Sequence, residues 1–274
     1  MNNKIVTDLA KTIGLFGGIL LLLYFGMQLL SEENKTKWFY ADNQTQLISY
    51  EQEQQLSDII SEHILETSNQ KILKNELIDS VVWAVSSHLK KQIEISEYDY
   101  EILILDSPEI NAFTIPGGRI YVFKGLLEFC DSAEHLAAIL AHEMGHVEKR
   151  HTVFKLVKEF GLKIILTLLT GGDSVMFSEL GHTVLSNKFD RSQEKEADLF
   201  ALELLEKSQI SPTAIASFFR KLNRENLDYN EKMEFLMTHP HNNSRIKTSL
   251  EYETENNFTP KLLDIDWDRI KNAL

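Results

Sequence analysis

Hydrophobic positions change their period several times along this chain, and the changes mark its elements. From Thr12 to Leu30 the sequence reads TIGLFGGILLLLYFGMQLL. This uncharged run of about 19 residues is long enough for a helix to cross a bilayer. Residues 1–31 therefore read as an N-terminal transmembrane anchor, and the polar residues 32–50 as a linker. Beyond them, Leu56, Ile59, Ile60 and Ile64 recur at helical spacing, as do Ile72, Leu77, Ile78, Val81, Val82 and Val85. YEILILD, from Tyr100, alternates as a strand does, with Ile102 and Ile104 on one face. NAFTIPGGRIYVFKGLL, residues 111–127, sets Pro116-Gly117-Gly118 between two β-like runs and predicts a hairpin. Asp131 and Ser132 are candidate caps for a long helix from about Ser132 to Arg150, with Leu136, Ile139, Leu140 and Met144 as its apolar positions. A second helical stretch runs from about Val153 to Leu169; its core LKIILTLL is too short to span a membrane and reads as buried against the domain, with a place near a membrane surface as the alternative. Further helices follow over residues 192–207 and after Ser211-Pro212. The expected fold class is α+β: a mainly helical domain over residues 51–274 with a small β-sheet, preceded by one transmembrane helix.

The anchor has a rival, a cleaved signal peptide, but no A-x-A-like site follows the apolar run. Lys4 and Lys11 before it favour an N-terminus on the cytoplasmic side; Lys35 and Lys37 beyond it keep that bias small. Trp38, Phe39 and Tyr40 lie where interfacial aromatics sit.

Composition narrows the chemistry. The 274 residues carry a formal net charge of −13, so nucleic acid is excluded as a partner for want of a basic surface to neutralise phosphates. Cys130 is the single cysteine, which rules out an internal disulfide and a cysteine-based zinc cluster. No pattern in the sequence speaks to an oligomeric state.

AHEMGHVEKRH, residues 141–151, carries the candidate chemistry. Residues four apart on a helix share a face, so His142 and His146 can hold one metal ion, with Glu143 beside it as a general base for a water. By itself the HExxH pentapeptide is only moderately specific, and His135 and His151 show that the helix is rich in histidine. The zinc reading requires a third protein ligand and an open fourth position. RSQEKEADLFAL, residues 191–202, offers Glu194 as that ligand and Asp198, one turn on, as a carboxylate to receive the outer N–H of a ligand histidine, His142 first. Glu196 points elsewhere and reads as solvated. Gly145, which costs a helix about 1 kcal/mol relative to alanine, suggests a close approach by another segment. His63, His88, His182 and His241 lack any motif context.

These segments together resemble peptidase family M48, the zinc endopeptidases of the gluzincin group that include the CAAX prenyl protease, the HtpX heat-shock protease, the mitochondrial Oma-type protease and the BepA-type proteins. HEMGH and EKEAD match in order, NAFTIPGGRIYVFKGLL resembles the segment before the family's active-site helix, and THPHNNSRI, residues 238–246, resembles its T-H-P-x-x-x-x-R-I element. The resemblance implies a zincin-type metallopeptidase domain with one Zn2+ per chain held by His142, His146 and Glu194. It implies Glu143 as catalytic base and Asp198 as the carboxylate behind the ligands. His239 matches a family histidine near the metal, for which two roles are open: stabilising the oxyanion, or occupying the open zinc position and restraining activity. Arg245 either steadies this part of the site or forms a structural ion pair. Ile120, Tyr121, Val122 and Phe123 resemble the strand edge that pairs with an extended substrate, although their apolar side chains would equally serve packing.

The resulting expectation is a single-pass membrane protein whose catalytic domain sits on the periplasmic or another non-cytoplasmic side. It would cleave peptide bonds in unfolded or misassembled proteins as quality control. Two alternatives stay open: a metal-binding chaperone or adaptor with little turnover, against which the intact Glu143 argues, and a soluble secreted peptidase formed by removal of the first 30 or so residues.

Overall fold

The computed structural model describes residues 47–67, 71–171, 179–181, 183–184, 188–224, 239 and 242–274. The expected anchor and nearly all of the expected linker lie outside them, as do His182 and His241. Among the described residues, no helix is long and apolar enough to cross a membrane. Ile48–Leu274 form one compact unit.

Two helices come first, α1 (Tyr50–Thr67) and α2 (Glu76–Lys90). Asn75 starts α2, its side chain accepting from the N–H groups of Leu77 and Ile78. A three-stranded sheet follows: β1 (Glu101–Leu105), β2 (Ala112–Thr114) and β3 (Arg119–Phe123). A 3₁₀ turn, Pro116–Gly118, joins β2 to β3 in the expected hairpin, with Gly117 at φ 82°, a conformation costly for any side chain. What the alternation could not reveal is the strand order, β1-β3-β2, in which β1 runs parallel to β3 and β2 antiparallel to it. β3 is therefore the central strand.

The strands' two-residue period is used on both faces. Ile104, Ile120 and Val122 enter a core shared with the helices behind the site, while Leu105, Phe113, Tyr121 and Phe123 enter a second core beneath α1. Two buried faces need apolar residues at consecutive positions, which is why RIYVF reads as a continuous apolar run.

The short helix α3 (Lys124–Phe129) leads to α4 (Ala133–Glu148), then come α5 (His151–Phe160), α6 (Leu162–Leu168), α7 (Arg191–Lys207), α8 (Thr213–Arg224), α9 (Asn242–Glu251) and α10 (Trp267–Lys271). The single helix expected from Val153 to Leu169 is broken at Gly161, φ 80°. From Ala133 to Val147 every residue of α4 except Glu134 is buried, as befits a helix packed on all sides. Its start also differs from expectation. Ser132 sits at the N-cap without making a side-chain bond. The Asp131 carboxylate is taken by Lys221 at 2.6 Å, and His135 Nδ1 instead accepts from the Asp131 N–H at 3.3 Å. α7 has the fuller start, a capping box between Asp190 and Gln193.

α4 and α7 pack closely, and Gly145 shows how closely. A methyl group there would lie 3.0 Å from both Cα and the carbonyl oxygen of Ala197. The glycine predicted to admit a neighbouring segment admits the backbone of α7.

Candidate active site

Because α4 and α7 cross at Gly145, their polar faces meet inside the protein. His142, Glu143 and His146 project from α4, Glu194 and Asp198 from α7, and His239 comes from the segment before α9; all are buried. Ligand atoms of His142, His146, Glu194 and His239 lie within 4.8 Å of one another. His142 Nε2 and His146 Nε2 are 3.1 Å apart, and the Glu194 carboxylate approaches them at 3.7 and 3.4 Å.

Those distances test the fit of a metal. Four ligands at zinc-to-nitrogen bond lengths around a tetrahedral centre are separated by about 3.3 Å. The outer nitrogens say the same. His142 Nδ1 lies 3.0 Å from Asp198 Oδ1 and 2.8 Å from a terminal nitrogen of Arg245, so the pair behind the ring fixes its orientation and keeps Nε2 turned toward His146 and Glu194. Two imidazole nitrogens and a carboxylate thus face one another in a buried site. A cation between them would satisfy all three groups at once, and a nitrogen, nitrogen, oxygen donor set suits zinc. Both oxygens of Glu143 are buried and have no hydrogen-bond partner among the described residues, so this carboxylate is left for a small polar guest.

Electrostatics sort the groups into roles. Burial, helped by the nearby Arg245, lowers His142 to about 4, and burial lowers His146 well below the usual histidine range. Both rings are neutral near pH 7, the state a ligand requires. Burial raises the Glu143 carboxyl to about 7, against the pull of His239, close to the value that suits a general base at neutral pH. Burial works against ionisation of Glu194 too, but His239, His146 and His142 together hold it far below the carboxylate range. Asp198 is held down, despite its burial, by Arg245 and His142.

Arg245 binds Asp198 through Nε at 2.9 Å and through a terminal nitrogen at 2.6 Å, and its guanidinium lies over the Phe219 ring. His239 turns Nδ1 toward Glu194 Oε1 at 2.9 Å and His142 Nε2 at 3.3 Å, while its Nε2 lies 3.5 Å from Glu143 Oε1.

The expectation for Ile120, Tyr121, Val122 and Phe123 needs correction. β3 is flanked by β1 and β2 along this stretch, so its main-chain groups are already in ladders and no edge is left for a substrate. Sequence reasoning also passed over two groups near His146. His151, set aside as one more histidine, stands against its ring, and the Phe189 ring stacks on it with centroids 3.9 Å apart. The spacing from His146 to His151 fits no single helix face, and an aromatic in a polar stretch carries no signature.

Comparison with known proteins agrees with this geometry. The model of Peptidase family M48 matches residues 74–253, about two thirds of the chain. The chain belongs to peptidase family M48. Among its relatives is the mitochondrial metalloendopeptidase OMA1 of Schizosaccharomyces pombe, 30% identical over 62% of this chain and 52% of that protein. The OMA1 of Arabidopsis thaliana is 31% identical over 65% of this chain and 36% of its own length. The β-barrel assembly-enhancing protease of Escherichia coli K12 is 23% identical over 73% of this chain and 43% of its own. The chain thus spans about a third to a half of the length of these relatives. The M48 match includes all of β1 to α7 and the segment of His239 and Arg245, the parts that build the centre.

Proposed function

We propose that this chain is a membrane-anchored zinc endopeptidase that hydrolyses peptide bonds in unfolded or misassembled proteins. One observation carries the reading: His142, His146 and Glu194 converge on a point beside the buried carboxylate of Glu143, which makes no hydrogen bond among the described residues. Zinc bound there supplies Lewis acidity, polarising a peptide carbonyl and easing the loss of a proton from water. Glu143 takes that proton as general base and passes it to the amine that leaves. Asp198 and Arg245 hold the His142 ring in place. The His239 ring occupies the fourth corner of the ligand set and also faces the base, which favours the restraining role over the oxyanion role: a substrate carbonyl needs the place that this ring now fills.

The substrate backbone is better assigned to β2 than to β3. Phe123 N donates to Asn111 O and Ile115 N to Arg119 O, so Ala112 and Thr114 turn their main-chain groups away from β3. Among the described residues, Thr114 O is met only by the Thr152 hydroxyl, at 3.3 Å. An extended peptide added there would be read through its backbone, with little dependence on sequence, as quality control requires. The anchor expected at residues 12–30 would hold this domain on the non-cytoplasmic side of a membrane.

The test pairs metal analysis with casein hydrolysis by the full-length protein. Wild type should hold one zinc per chain and cleave. Glu143→Gln should keep the metal and lose about 10²- to 10⁴-fold in kcat. His239→Ala should cleave faster than wild type. Equal turnover in wild type and Glu143→Gln rejects the base, and slower turnover in His239→Ala returns that histidine to the oxyanion role.

A further inference from the structure

His142 and His146 are equivalent in the HExxH motif, yet their outer nitrogens meet different groups. Behind His142 stands a charged pair, the Asp198 carboxylate at 3.0 Å and the Arg245 guanidinium at 2.8 Å from Nδ1. Behind His146 stands another imidazole: His151 Nδ1 lies 2.9 Å from His146 Nδ1, with both rings buried. The far nitrogen of that second ring, His151 Nε2, lies 3.4 Å from Glu196 Oε2, a carboxylate on the exposed side of α7.

The protons in this row can be placed by elementary rules. A carboxylate only accepts, so His151 carries its proton on Nε2 and donates it to Glu196. Its Nδ1 is then a lone pair. The nitrogen facing it at hydrogen-bond distance must donate, so His146 carries its proton on Nδ1, and His146 Nε2 is left bare, pointing at His142 Nε2 and Glu194. We propose that His151, oriented by Glu196, is the positioning residue of His146, fixing the tautomer that presents Nε2 to a metal. The inference rests on the zinc site proposed above.

The backbone has been bent to make this contact. α4 ends at Glu148, and Arg150 then adopts φ 55°, ψ 32°, a left-handed conformation that costs a non-glycine residue about 1–2 kcal/mol. The turn starts α5 at once and folds its first residue, His151, back onto α4. The Arg150 side chain is tied down by an ion pair to the buried Glu53 and by a 2.6 Å bond to the Ile48 carbonyl. Phe189 completes the setting, its ring stacked at 23° on the His146 face. One neighbour fixes the plane of the imidazole, and the other fixes its proton.

The experiment measures zinc affinity of the full-length protein by chelator competition, with unfolding of the zinc-free form followed alongside. His151→Leu keeps bulk but offers no acceptor, and should bind zinc about 10- to 100-fold more weakly than wild type. His151→Asn places a carbonyl oxygen where Nδ1 stood and should recover most of that loss. Glu196→Ala, at an exposed position, should fall between the two. A role in packing alone would lower the unfolding midpoint of the zinc-free variants and leave zinc affinity unmoved. Wild-type affinity in His151→Leu, or equal losses in the leucine and asparagine variants, overturns the proposal. Should His151→Leu fail to fold, a tenfold loss in His151→Asn or unchanged affinity in Glu196→Ala overturns it instead. Wild-type protein that binds no zinc would overturn the metal site itself and this inference with it.

Discussion

The two flanks of the centre solve one problem with different chemistry. On the His142 flank a buried charge pair meets the outer nitrogen directly, Asp198 at 3.0 Å and Arg245 at 2.8 Å, with the two bound to each other. On the His146 flank a neutral imidazole meets the outer nitrogen, and its carboxylate, Glu196, is more than half exposed. Each flank also has an arginine–carboxylate pair, but Arg245–Asp198 touches the ligand whereas Arg150–Glu53 acts through the left-handed turn that delivers His151. The difference teaches where strength and where tolerance lie. A buried charge pair is worth little as a unit and a great deal once one member is removed. A neutral relay ending at the surface has no buried charge to expose.

The largest effect that follows is on the charged flank. Arg245→Leu leaves Asp198 buried without its counter-ion and should cost about 3–5 kcal/mol of folding stability in the zinc-free protein. Glu196→Ala, measured in the same urea titration, should cost under about 1 kcal/mol. Similar losses in the two variants would erase the distinction between the flanks.

The charged flank was legible in the sequence because it obeys a helical rule. Asp198 lies four residues after Glu194 and shares its face of α7, and His142 and His146 share a face of α4 in the same way. The neutral flank was not legible, since it crosses a helix break. Nothing in HVEKRH announces that Arg150 takes a left-handed conformation, and without that turn His151 would lie on α4 far from the His146 ring. The sheet was lost for a related reason. Alternation finds strands but not their order, so nothing in the sequence could check the edge role that family resemblance implied for β3, whose apolarity reflects a core on each side. The hairpin turn and the packing glycine were recovered because each rests on a local backbone demand.

The two arginine–carboxylate pairs should also answer pH in opposite directions. Arg245 and His142 hold Asp198 below its ordinary value despite burial. Its contribution to stability is therefore present above the unfolded value near 3.8 and lost as pH falls through the lower, folded value. At Glu53 burial wins over Arg150 and raises the carboxyl above 4.5. Its contribution is present below about 4.5 and lost as pH rises through the folded value. Asp198→Asn should accordingly lose most against wild type at neutral pH and less in acid. Glu53→Gln should lose most in acid and less at neutral pH. Each difference should be about 1–3 kcal/mol where it is greatest. Urea unfolding of the zinc-free variants from about pH 2 to about 7.5 reads both curves. Parallel curves would show that the two pairs are electrostatically alike, whatever their different removes from the ligands.

The smallest effect tests the crossing that both flanks share. Gly145→Ala adds one methyl group against Ala197 Cα and carbonyl oxygen, each at 3.0 Å. These are backbone atoms, so the strain cannot be relieved by turning a side chain; α7 must move by a few tenths of an ångström. Alanine returns about 1 kcal/mol of helix propensity, and overpacking costs about 1–3 kcal/mol, so the net loss of stability should be about 1 kcal/mol. Zinc affinity should fall by more than that loss implies, because Glu194, Glu196 and Asp198 all ride on α7 and the movement disturbs a ligand, the carboxylate behind His142 and the carboxylate that orients His151 together. Should affinity hold while stability drops, the crossing sets only how tightly the helices pack, and the geometry of the centre is carried by the flanks alone.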